Sequence, residues 1–134
     1  MKVKTTIYKF NPVVYPRNLY IAIGFDKDRF LELFEMNEVD EKFMESLSGD
    51  IIGFGVKVVE KDSRETGVLF IFRNRKFGVE TIAHEAVHGA DFIFEEIGAY
   101  AQDFSEKNEP FAYLTGWVAN CINLAKLNKH DRRL

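Results

Sequence analysis

Thr81-Ile82-Ala83-His84-Glu85-Ala86-Val87-His88-Gly89-Ala90-Asp91 sets two histidines four residues apart, with a glutamate directly after the first. Apolar residues on either side recur at helical spacing, which predicts a helix from about Gly78 to Ile97. On a helix, residues four apart share a face, one turn above the other. Both imidazoles then reach a single ion, and neutral imidazole nitrogen suits zinc. Glu85 lies about 100° round the helix from His84. That places it poorly as a ligand but well beside the ion, where it can take a proton from water and hand it to a leaving amine. Val79, Ile82, Ala83, Ala86, Val87, Ala90, Ile93, Phe94 and Ile97 fall in one arc, the expected core face. His84, His88, Asp91 and Glu95 share a separate polar arc, and Phe92 fits neither. The competing reading is a chance pattern on a solvated helix face.

Working outward, the chain before this helix reads mainly as strands. Lys2–Phe10 and Asn18–Phe25 are strand candidates, separated by turn signals at Asn11-Pro12 and Tyr15-Pro16. Asp26 is placed to cap a helix running to about Met36, and Asp40 a second short helix that Gly49 ends. Ile51–Glu60 is a strand whose Gly53 and Gly55 suggest a bulge or a close backbone approach. Lys61–Thr66 reads as a hairpin connection. Gly67–Arg73 is the next strand, apolar enough for burial on both faces, or on one face with the other lining a site. After the histidines, a last helix is expected from about Asn108 to Leu127. Strands first and helices last, without βαβ alternation, predict an α+β fold with a small, mostly antiparallel sheet packed on the histidine helix and the C-terminal helix.

Catalytic zinc takes three protein ligands and keeps one position open. No histidine follows soon after His88, and His130 sits in a charged tail expected to be solvated. Glu109 is the favoured third ligand. It opens the last helix ahead of Pro110, and Glu109, Tyr113, Gly116 and Asn120 share one face of it. Gly116, with Ala112 and Ala119 nearby, is expected to let this helix approach the histidine helix closely. Glu106, Asp103 and Glu95 are the fallbacks. The plainer reading of Glu109 is an acid favoured by the helix dipole.

This arrangement resembles the gluzincin group of HExxH zinc metallopeptidases over roughly residues 67–127. In that group a second helix supplies a glutamate, at a gap similar to that from His88 to Glu109 in the thermolysin-like members. The resemblance implies a zincin-like fold and zinc-dependent hydrolysis of amide bonds, with His84, His88 and Glu109 as ligands and Glu85 as general base. It also implies a sheet whose edge strand binds the peptide substrate by strand addition, with Gly67–Arg73 in the matching position. The thermolysin-like members place an aspartate four residues after the ligand glutamate, where this chain has Tyr113. Asp91 is a candidate to orient an imidazole instead. Tyr113 is a candidate to donate its phenol to a developing oxyanion, or else a core residue. A weaker resemblance is to small HExxH proteins carried by phages and mobile elements. The alternative function is a zinc-binding regulatory or interaction module of the same fold, weak or inactive as a catalyst.

The bulk numbers fit this picture. The 134 residues suffice for one domain, expected to span 1–134 with its metal-site core at about 67–127. Hydrophobic residues make up 46% and charged residues 29%, with 13 phenylalanines to fill a small core. The net charge of -3 and the lack of a basic stripe argue against nucleic acid as a partner. A single cysteine, no apolar leader and no run long enough to span a bilayer predict a cytoplasmic protein without a membrane partner. The expected partner is a peptide or protein substrate. For so short a chain, a second protein completing the cleft is also expected.

Overall fold

The computed structural model describes residues 5–46, 53–99 and 108–134. Its elements are β1 (Thr6–Phe10), β2 (Asn18–Ile23), α1 (Lys27–Leu33), β3 (Phe34–Glu35), α2 (Glu38–Ser46), β4 (Gly53–Glu60), β5 (Thr66–Phe72), α3 (Val79–Glu96) and α4 (Glu109–Lys126). The strands form one sheet in the order β1-β2-β5-β4-β3. Pairing is antiparallel except between β2 and β5, which run parallel. A parallel pair needs a long crossover, and here it contains α1, β3, α2 and β4. The mixed α and β architecture with a mostly antiparallel sheet is as expected.

Side-chain alternation puts apolar residues on both faces of this sheet. Tyr8, Phe10, Leu19, Ile21, Ile23, Val68, Phe70 and Phe72 pack against α3 and α4. Ile7, Tyr20, Ala22, Val56, Val58, Leu69 and Ile71 pack against Phe30, Phe34 and Met44 from α1, β3 and α2. Three layers result, rather than a sheet covered only by the two late helices. Of the two readings of the Val68–Phe72 run, burial on both faces is the one realised.

Local signals worked where the chain itself supplies the partner. Asp26 accepts a hydrogen bond from the Arg29 amide at 3.2 Å and caps α1. The next cap differs from expectation: Asn37, not Asp40, accepts the Asp40 amide at 2.8 Å. Helix α1 also stops at Leu33 instead of Met36. Phe34 turns into the core at 1% exposure and pairs with Glu60, while Lys61 donates to the carbonyls of Leu33 and Leu31. Tertiary pairing thus overrode the helical period. The expected helix end at Gly49 and the start of the β4 strand at Ile51 lie outside the described residues.

The sheet's two margins differ. The C-terminal tail runs along the outer edge of β1: the Lys9 amide donates to the Arg132 carbonyl at 3.0 Å, and the Leu134 amide to the Ile7 carbonyl at 2.9 Å. His130, expected in solvent, is instead stacked on Phe10 at 3.9 Å, with its Nε2 2.8 Å from the Lys9 carbonyl. At the other margin β3 pairs only with Val59 and Glu60. Among the described residues, nothing pairs with the outer edge of β4 from Gly53 to Val58. Strand β5, expected at an edge, lies between β2 and β4. Its double-sided burial explains why.

Glycines set the spacing around α3. A Cβ on Gly89 would stand 2.8 Å from Val118 Cγ1 and 3.1 Å from Phe70 Cε2, so α3 lies directly on α4 and β5. Gly116 does not have this role, since a Cβ there meets nothing within 4 Å. Helix α4 buries Leu114, Val118, Cys121, Ile122 and Ala125 and turns the Gly116 face outward. Gly53 and Gly55 make room for the Phe72 and Phe70 rings across the strand pair, which is the close approach their pattern suggested. Substituting Gly89 with Val should lower unfolding free energy by about 2 kcal/mol through overpacking. An unchanged urea midpoint would show that this contact does not set the helix spacing.

Candidate metal centre on helix α3

Helix α3 is turned from its expected orientation by roughly 40°. Its buried residues are Glu85, Ala86, Gly89, Ala90, Ile93 and Phe94. Val79 and Val87, expected in the core, are 81% and 48% exposed, and Ala83 is exposed as well. The missing side chain at Gly89 lets the Glu85–Gly89 line sink toward Phe70 and Val118. Glu85 is therefore buried, while His84 and His88 remain exposed beside it.

The two imidazoles converge. Nε2 of His84 and Nε2 of His88 are 3.2 Å apart, with ring centroids at 4.9 Å. Two nitrogens each about 2.0–2.1 Å from a tetrahedral zinc would be separated by about 3.3 Å. The pair thus fits one edge of a tetrahedral site, and it equally fits a single hydrogen bond between a protonated and an unprotonated nitrogen. Burial pushes the Glu85 carboxyl upward, opposed by the neighbouring His88 and His84. A buried carboxyl of this kind beside an exposed donor pair suits proton transfer better than solvation.

The expected third ligand does not join them. Among the described residues no group of three His, Cys, Asp or Glu side chains is placed to hold a metal ion. Glu109 is exposed in the first turn of α4, at the end of the helix pair where Phe111 meets Phe94 at 5.3 Å. Phe94 lies about 9 Å along the axis beyond His88. Tyr113 is 76% exposed, so it is not core, and it lines a shallow apolar cleft with Pro12, Val14 and Trp117. Asp91 is exposed on the histidine arc. Glu95 pairs with Lys57 at 3.4 Å. Asp103 and Glu106 lie outside the described residues.

The open edge of β4 runs beside this helix. Lys57 reaches Glu95 and Glu96, and Gly89 rests on Phe70, the partner of Gly55. Helix α3 therefore runs back over β4, with Glu85 and His88 toward Gly53.

The described residues also hold a buried polar cluster that the motif reading passed over. Lys9, 2% exposed, lies 2.7 Å from Glu60 and 2.6 Å from Glu65. Tyr20 donates to Glu60 at 2.9 Å, and Asn18 to Glu65 at 2.6 Å. The available signal was strand alternation, which set Lys9 on the same face as Ile7. Burial pushes the Glu60 carboxyl up, but Lys9 and Tyr20 outweigh it and hold it below its ordinary 4.5.

Comparison with known protein families, with curated proteins and with solved structures found no match. Among the described residues no helix is long and apolar enough to cross a membrane.

A carboxylate with a depressed folded value stabilises above its ordinary value, and that contribution is lost as pH falls through the folded value. Glu60→Gln should therefore flatten the loss of melting temperature between about pH 5 and pH 3. A slope equal to that of the native chain would show that the pair does not contribute.

Proposed function

We propose that this chain is a zinc-dependent peptidase of zincin-like fold, with His84 and His88 holding the ion and Glu85 carrying the proton. One observation carries this reading: two Nε2 atoms 3.2 Å apart on an exposed helix face, with a buried carboxyl on the residue between them. Zinc, when bound, would act as a Lewis acid on a carbonyl and make water a better nucleophile. Glu85 would take a proton from water and pass it to the leaving amine, a role helped by a carboxyl pushed toward neutrality. The open edge of β4 from Gly53 offers main-chain groups to an extended peptide beside the histidines, in place of β5. The gluzincin resemblance implies Glu109 as third ligand, but Glu109 is exposed in the first turn of α4 and stands apart from the pair, so this reading assigns no third ligand among the described residues and keeps Asp91 and Tyr113 as candidates for support. A protein partner that walls the exposed histidine face belongs to the same reading.

A second reading, a zinc-binding regulatory or interaction module without turnover, is favoured by the lack of a third donor beside the pair among the described residues.

At saturating zinc, elemental analysis should find about one ion per chain, and none in His88→Ala. Zinc should raise the melting temperature of the native chain only. Glu85→Gln should keep the metal and cut hydrolysis of an unstructured protein substrate by about 10²–10⁴-fold. Metal uptake without any hydrolysis in the native chain would favour the module, and no uptake at all would rule out both.

A further inference from the structure

A tetrahedral ion takes four donors, and the histidine pair offers two. No other described His, Cys, Asp or Glu completes the set. The pair stands on open surface with an apolar line beside it: Val79, Ala83 and Val87 are exposed and four residues apart. Helix α3 has no Lys or Arg; its charges are Glu80, Glu85, Asp91, Glu95 and Glu96. Lys57 pairs with the last two and Arg17 also with Glu96, while Glu80 and Asp91 stand exposed on the histidine side. These two acids disfavour the approach of a second copy, and a cation between the copies offsets them.

We infer that zinc is shared between two copies of this chain, with His84 and His88 of each copy supplying two of its four ligands. A two-fold axis through the centre of a tetrahedron exchanges opposite edges. The 3.2 Å separation is one such edge, and the second copy supplies the other through the same surface patch. Opposite edges of a tetrahedron are perpendicular, so the lines joining the two histidine nitrogens of each copy cross at right angles. The protein contact is then small, centred on the histidines with Val87 of each copy beside them. It holds only with the ion in place. All four positions are filled by nitrogen, so water and substrate are shut out, and the shared form is a resting form of the site. This inference rests on the histidine pair as a metal site and not on hydrolysis.

Sedimentation velocity of the metal-free chain, titrated with zinc, tests it. The expected course is monomer without metal, twice the monomer mass at one zinc per two chains, and return to monomer in excess zinc. His88→Ala should remain monomeric throughout. Ala83→Trp, which adds bulk beside the pair without removing a donor, should take up zinc yet dimerise less. Zinc uptake by a chain that stays monomeric at every ratio overturns the sharing and leaves the peptidase reading intact. No uptake overturns both. A dimer that forms without zinc, or in His88→Ala, also overturns the sharing.

Discussion

The five side chains from Val68 to Phe72 are all buried, on alternating sides of one strand. Leaving any one of them in water would cost about 1.5–3 kcal/mol, so both faces of β5 must be covered at once. That requirement puts β5 in the middle of the sheet, with β2 and β4 as its neighbours. It also calls for two helical layers, one from the late helices and one from α1 and α2. The position of the histidines follows. Phe70 points at α3, Gly89 accepts it, and the helix settles with Glu85 inward and His84 and His88 outward. The exposed histidine pair is thus a by-product of how one apolar strand is sheltered.

Much of the fold was legible because its signals are local. The strand periods, the Asp26 cap, the limits of α3 and α4 and the Gly53–Gly55 pair all depend on a few neighbouring residues. The histidine pair was legible for the same reason, since i and i+4 on a helix fix their own geometry. The rest depended on contacts distant in sequence. Helix phase was misjudged because periodicity gives a wide arc, and only Gly89 against Val118 and Phe70 selects its centre. Phe34 looked helical until Glu60 offered it a strand partner. Glu109 and Tyr113 share one face of α4, as expected, but that face looks outward because Leu114, Val118 and Ile122 claim the interior.

Lys9 illustrates a different limit. A lysine in a strand reads as solvent-facing, yet this one is enclosed by two carboxylates and two further polar side chains contributed by β2, β4 and the turn that follows β4. Burying an isolated ammonium is prohibitive, and the cluster is tolerable only because it is assembled whole. Its members lie far apart in sequence, so they record that β1, β2 and the β4–β5 hairpin have come together in one register.

The unequal margins of the sheet bear on how copies of the chain behave when crowded or partly unfolded. On one side the tail lies along β1 and takes up the Lys9 amide and the Ile7 carbonyl. On the other, β4 offers its backbone, but Gly53 and Gly55 make a poor template for ordered stacking, and Lys57 places a charge on the same strand. Among the described residues the open length of β4 is thus the edge available to a foreign strand, and it is chemically discouraged. Loosening of the tail would add the edge of Thr6–Phe10, a strand without glycine, to the same hazard.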